Sequence, residues 1–158
     1  WKDFSGDAKV ERKLTDIRAL AAECVKLSKL QPQASKVDFI FDGSGGPVYA
    51  MADPDKFKQV FFNLMINSVE AMDGKRNPEI KIEVIEKKES VEIKFRDNGR
   101  GINKADIEKV KEPLYTSKSK GSGLGLPVSE RIVKAHGGLM IIDSDGETFT
   151  EVTVSIPS

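Results

Sequence analysis

The 158-residue sequence predicts an α+β fold: a two-layer α/β sandwich in which a mixed sheet of about five strands carries three helices on one face. Two observations predict it. Apolar residues alternate strictly with polar ones at Ile80, Ile82 and Val84 and again at Val91, Ile93 and Phe95, the period of half-buried strands. In other segments apolar residues recur at intervals of three and four, the period of helices lying on a core. The length suits one domain, and 39% apolar with 32% charged residues is the composition of a soluble globular protein. Twenty-five basic side chains balance 25 acidic ones, which argues against nucleic acid or a membrane surface as partner. No apolar run approaches the roughly 20 residues of a spanning helix. The start, Trp1-Lys2-Asp3-Phe4, has neither an initiating Met nor a signal pattern. An excised, cytoplasmic piece of a longer protein is expected, with membrane anchorage of the intact protein left open.

The elements follow in order. Residues 14–30 place Leu14, Ile17, Leu20, Ala21, Cys24, Leu27 and Leu30 on one stripe of a helix. Cys24, alone in the chain, is expected to pack there as a small apolar side chain. Val37 to Phe41 and Val48 to Met51, joined by Gly43-Ser44-Gly45-Gly46-Pro47, predict a hairpin. Asp53-Pro54 is an N-cap followed by a first-turn proline, opening a long helix that ends near Met72. The two alternating strands come next, joined by a charged turn at residues 86–90. A short helix is expected from about Asn103. Residues 112–122 are polar and without period, so a mobile loop is expected there. A helix from about Gly123 to His136, stopped by Gly137-Gly138, precedes two strands at about 139–143 and 150–156.

Three features break their local pattern. The two-residue period that buries Val91, Ile93 and Phe95 carries Asp97 inward as well. A buried carboxylate costs several kcal/mol unless donors satisfy it, although an Asp-Asn-Gly sequence also makes an ordinary turn. In Asp97-Asn98-Gly99-Arg100-Gly101-Ile102, two glycines let backbone approach a flat ligand and Ile102 can cover it. On the long helix Phe57, Phe61, Leu64, Ser68 and Ala71 form the central stripe, while Asn63, Asn67 and Glu70 share one edge of it. Their oxygens suit a hard cation such as Mg²⁺, which takes one or two protein ligands beside water and phosphate. Phe62, Ile66 and Val69 make much of the remaining circumference apolar, which argues against a merely solvated edge. Lys118-Ser119-Lys120-Gly121-Ser122-Gly123-Leu124-Gly125-Leu126-Pro127 is a glycine-rich turn opening a helix, where free N–H groups and two lysines suit phosphates. It lacks the spacing of a P-loop.

Taken together, these segments resemble the ATP-binding catalytic domain of sensor histidine kinases, in a superfamily with Hsp90, DNA gyrase B and MutL. The resemblance covers nearly the whole chain. Residues 59–72 look like the family's N box and Asp97 to Gly101 like its D-x-G-x-G box. Residues 113–118 look like the F-box region and Gly121 to Leu126 like the second glycine box. Glu70-Ala71-Met72 and the short loop resemble the nitrogen-regulatory branch in particular. The resemblance implies a Bergerat-type ATP-binding fold with ATP and Mg²⁺ as cofactors. It implies that Asp97 accepts from the adenine amino group and that Asn67 ligates Mg²⁺, with Asn63 beside it and Glu70 and Ala71 lining the site. Gly99, Gly101 and Ile102 would wall the adenine, with Thr150 a neighbour. Tyr115, Thr116, Ser117, Lys118, Gly121, Ser122, Gly123, Leu124, Gly125 and Leu126 would form the lid and phosphate cradle. Asn63 and Lys118 would be the catalytic pair.

By the same resemblance, the γ-phosphoryl acceptor is a histidine on a separate helical dimerisation domain of the same protein, a homodimer when intact, which passes the group to a response regulator receiver domain. Residues 1–10 would be the tail of that helical domain and residues 11–158 the ATP-binding domain. The single histidine, His136, in the last turn of a helix, is expected to be structural. Two rivals share the ATP site: protein-serine kinases of the anti-sigma or mitochondrial dehydrogenase-kinase type, and ATP-gated modules such as Hsp90 or MutL. The latter usually carry a glutamate base where Asn63 stands, so the amide favours transfer over hydrolysis.

Overall fold

The computed structural model describes residues 9–107 and 125–158. Two sheets form. The larger is built of β2 (Asp38–Phe41), β4 (Glu79–Glu86), β5 (Ser90–Asp97), β7 (Thr150–Pro157) and β6 (Leu139–Ser144), in the order β2-β4-β5-β7-β6. Its β2–β4 pair is parallel and the rest antiparallel, so the sheet is mixed as expected. The smaller pairs β1 (Lys13–Asp16) with β3 (Tyr49–Ala52), antiparallel. Helices α1 (Ile17–Lys29), α2 (Pro54–Ala71) and α4 (Gly125–Ala135) are long, and α3 (Lys104–Ile107) is a single turn. Helix α2 packs against both α1 and α4 and against β4 and β5, which gives the expected α+β sandwich.

The expected hairpin of residues 37–41 and 48–51 does not form. Strand β2 instead takes β4 as its parallel neighbour, and β3 goes to the other sheet. Local hydrogen bonds explain the divergence. Asp42 accepts from both the Ser44 N–H and its hydroxyl, which turns the chain immediately after β2. Arg18 Nη1 then donates to the Gly46 carbonyl at 2.6 Å and the Ile17 N–H to the Val48 carbonyl at 2.7 Å, drawing the incoming β3 toward the start of α1.

The first helix also starts later than its apolar spacing suggests. Asp16 caps it, accepting from the Ala19 N–H at 3.2 Å, and the same oxygen accepts from Val48 N. A cap fixes where helical dihedrals begin, so Leu14 falls in β1 and is exposed (67%). Leu27 and Leu30 are exposed too, and the buried face is Ile17, Leu20, Ala21, Cys24, Val25 and Ser28. Cys24 packs as expected, and burial pushes its thiol up to about 11, which keeps it protonated and unreactive.

Helix α2 matches expectation closely. Asp53 caps it through a bond from Lys56 N, and Pro54 occupies the first turn. Phe57, Phe61 and Leu64 are buried, and the Phe61 ring lies 5.6 Å from that of Phe95 on β5. Burial of each such side chain contributes roughly 1.5–3 kcal/mol. At the other end of the core His136, at the end of α4, is 1% exposed. Its Nε2 accepts from the Asp53 N–H at 3.0 Å, and its Nδ1 lies 2.8 Å from the Ile132 carbonyl. A ring that accepts at Nε2 carries its proton on Nδ1 and donates it to that carbonyl. His136 is therefore the structural residue the sequence suggested, and it also joins α4 to the N-cap of α2.

Candidate functional site

Asp97 ends β5, the central strand of the larger sheet. It stands opposite Ile80 of β4 and Thr150 of β7. The alternation that buries Phe95 buries Asp97 as well, leaving 4% of it exposed. Its Oδ1 accepts from the Gly99 N–H at 2.9 Å, so the ordinary Asx turn that the sequence also allowed is present. The turn does not use the carboxylate fully, because the Ser68 hydroxyl of α2 also donates to it. Burial raises the pKa of Asp97 above the usual carboxylate range, while Gly99, Ser68, Arg100 and Arg96 pull the other way. Desolvation and these donors therefore oppose one another at a carboxyl group set in the low-dielectric interior.

The backbone after Asp97 is held against α2. The Arg100 N–H donates to the Ala71 carbonyl at 3.1 Å, and Arg100 Nη1 to the Glu70 carbonyl at 3.3 Å. Gly99 sits so close that a Cβ there would lie 2.6 Å from the Ala71 oxygen, a distance no real Cβ occupies. Asn98 braces the neighbouring strand. Its Oδ1 accepts from Glu79 N at 2.9 Å and its amide donates to the Asn77 carbonyl at 3.0 Å.

Gly101 then adopts a φ of +75° and would place a Cβ 2.7 Å from the Glu147 nitrogen. The half-buried Ile102 packs at the rim of the core, and its N–H donates to the Ser144 hydroxyl at 2.8 Å. Thr150, 7% exposed, stands opposite both Asp97 and Ser144 in register. One corner of the sandwich thus gathers Glu70, Ala71, Asp97, Gly99, Gly101, Ile102 and Thr150.

Asn67 and Asn63 lie one and two turns before Ala71 on α2, and with Glu70 they are half-buried along one edge. One Glu70 carboxyl oxygen is buried. Two amides and a carboxylate in this spacing form an oxygen-only donor set, the chemistry a hard cation requires. Gly125 opens α4, and Leu126 beside it is half-buried against the core. Tyr115, Thr116, Ser117, Lys118, Gly121, Ser122, Gly123 and Leu124, and the loop expected over 112–122, lie outside the described residues. Two residues of this corner escaped the sequence: Ser68, which passes for a small member of an apolar stripe, and Ser144, in a strand whose only visible signal is alternation. A hydroxyl on the helix face turned toward an inward carboxylate was the available clue to Ser68.

A buried carboxylate at a strand end, a helix edge bearing two amides and a glutamate, and a glycine-containing segment held against both are the local marks of one superfamily of ATPase domains. The chain belongs to it: residues 52–158 match the family described as Histidine kinase-, DNA gyrase B-, and HSP90-like ATPase. Within that family it is an ATP-binding catalytic domain of the sensor histidine kinase type. It is 38% identical over 111 residues to Sporulation kinase A of Bacillus subtilis (strain 168), covering 70% of this chain and 18% of that protein. It is 33% identical over 154 residues to the signal transduction histidine-protein kinase AtoS of Escherichia coli (strain K12), covering 94% of this chain and 25% of that one. Among solved structures, the nucleotide-free catalytic domain of histidine kinase ThkA superimposes with a TM-score of 0.82 at 28% identity, over 94% of this chain and 96% of that one. The chain spans about a fifth of the length of the curated relatives it matches. No helix among the described residues is long and apolar enough to cross a membrane.

Proposed function

We propose that this domain binds Mg²⁺-ATP and presents its γ-phosphoryl group to a histidine on a separate helical dimerisation domain of the same protein, which functions as a homodimer and phosphorylates a response regulator receiver domain in the cytoplasm. The observation that carries this is the buried Asp97 carboxylate, held by Ser68 and Gly99 in the corner between β5, α2 and the β6–β7 turn. An acceptor fixed there hydrogen-bonds an exocyclic amino group and rejects a carbonyl at the same place, so it selects adenine over guanine. Gly99, Gly101 and Ile102 supply a flat wall for the ring, and Thr150 closes its far edge.

Asn67 would hold Mg²⁺, with Asn63 and Glu70 beside it, and the metal when bound would neutralise charge on the phosphates. Lys118 and the residues from Tyr115 to Leu126 would enclose the phosphate tail. Phosphoryl transfer depends on positioning and charge stabilisation more than on a covalent protein intermediate. A domain can therefore carry the donor while the acceptor sits elsewhere. Within the chain, His136 is no rival acceptor, because both its ring nitrogens are engaged inside the core.

The test is reconstitution. The chain is mixed with a histidine-bearing dimerisation domain and ATP labelled at the γ position. An acid-labile, alkali-stable label on the added domain, absent when its histidine is replaced, is the expected outcome. An acid-stable label would point to a hydroxyl acceptor, and release of free phosphate alone would point to hydrolysis; either result overturns the proposal.

A further inference from the structure

The β6–β7 turn carries a side chain with an unusual set of partners. Ser144, the last residue of β6, is 4% exposed. Its hydroxyl donates to the Phe149 carbonyl at 2.6 Å and accepts from Gly146 N at 3.1 Å and from Ile102 N at 2.8 Å. A hydroxyl has one proton to give and two lone pairs to receive, so this one is saturated. Two of the three bonds close the turn on itself. The third reaches 42 residues back along the chain to the backbone that follows Gly101.

That third bond spans a junction with no strand pairing, since β5 ends at Asp97 and α3 starts only at Lys104. Between them the Gly101 segment is pressed onto the turn: a Cβ on Gly101 would meet the Gly146 carbonyl carbon at 2.8 Å and the Ser144 Oγ at 3.0 Å. The turn in turn is stiff. Asp145 accepts from the N–H groups of Glu147, Thr148 and Phe149 and from the Thr148 hydroxyl. Arg96 of β5 lies 4.0 Å over the Phe149 ring.

We infer that Ser144 is a positioning residue for nucleotide binding: through its hydroxyl the rigid β6–β7 turn fixes the place of Gly101 and Ile102, and with it the wall against which the purine lies. This rests on the nucleotide site proposed above and adds a residue to it that touches no ligand. Replacing Ser144 by Ala orphans two N–H groups and one carbonyl at once. The Gly101–Ile102 backbone is then free to leave the turn, while the sheet pairing of β6 with β7 is kept.

The experiment uses the 158-residue chain, calorimetric titration with Mg²⁺-ADP, and amide hydrogen exchange followed by NMR. In the parent chain the Ile102 amide should exchange slowly even without nucleotide. In Ser144→Ala it should exchange far faster, with Val152 and Val154 amides unchanged, and ADP should bind about five- to thirtyfold more weakly. Ser144→Thr, which keeps the hydroxyl, should restore both. An Ile102 amide that exchanges freely in the parent chain overturns the inference whatever the variants do. So does a Ser144→Ala chain that binds ADP as the parent does. If the parent chain binds no ADP at all, the nucleotide reading itself fails, and this inference with it.

Discussion

Replacing Asp97 by Asn tests the centre of the site while changing almost nothing in shape. In the structure Oδ1 accepts from the Gly99 N–H and the Ser68 hydroxyl also donates to the carboxyl group. An asparagine oxygen can take over the Gly99 bond. Its NH₂ then occupies the remaining position, where the carboxylate would receive the purine amino group, and a donor meets a donor. A hydrogen bond to a charged partner contributes roughly 1.5–3 kcal/mol, and at about 1.4 kcal/mol per decade its loss weakens binding by roughly 10- to 150-fold. The repulsion adds to that, so titration with Mg²⁺-ADP should show no measurable heat in the substituted chain. Stability should move the other way. Burial raises the folded pKa of Asp97, so ionising it costs the fold: that stability is fully present below the unfolded value of about 3.8 and is lost as pH rises through the folded value. The neutral amide removes this cost, and the melting temperature at neutral pH should equal or exceed that of the parent. Unchanged ADP affinity would refute the role of Asp97, and a large drop in melting temperature would show that the carboxylate serves the fold instead.

Three further outcomes follow from the same geometry. Ser68→Ala removes a donor that favours the ionised carboxyl, so the Asp97 pKa should rise further and ADP binding should weaken about three- to tenfold; equal affinity by calorimetry would remove Ser68 from the site. Gly99→Ala forces a methyl group to 2.6 Å from the Ala71 carbonyl and should cost about 1–3 kcal/mol in urea unfolding; a cost within error of zero would contradict the contact. Burial lowers the His136 pKa below the ordinary value, with Arg12 adding to the shift and the Ile132 carbonyl and Asp53 opposing it. The unfolded chain then binds the proton more readily, so stability should fall as pH drops below about 6.5, by at most about 1.4 kcal/mol per unit from this group. His136→Gln should flatten that slope between pH 7 and 5.5, and an unaltered slope in denaturant melts would show that other groups control it.

Much of this was legible in the sequence because single residues carried unambiguous local instructions. Asp53-Pro54 marked the start of α2, Gly137-Gly138 the end of α4, and the two-residue period of β5 delivered Asp97 to the buried phase. What the sequence concealed was partnership. Val37–Phe41 and Val48–Met51 each form most of a strand, but which strand they pair with depends on Arg18 and Ile17 bonding across the intervening turn, and no local pattern encodes that. Leu14 fits a helical stripe by spacing, yet the Asp16 cap excludes it, because a cap overrides periodicity. Ser68 and Ser144 were invisible for a related reason: a hydroxyl reveals its role only through what it touches, and their partners lie 29 and 42 residues away.

The distance along the chain between those partners has a thermodynamic side. Ser68, Asp97, Ile102, Ser144 and Thr150 come together only after helix, central strand and terminal hairpin have all docked, so a half-folded chain offers a nucleotide nothing to hold. A ligand that recognises only the finished molecule draws the whole folding equilibrium toward it by mass action, by about 2.7 kcal/mol at a hundred times its dissociation constant. Through this linkage, a nucleotide bound at the proposed site would raise the equilibrium stability of the domain that holds it.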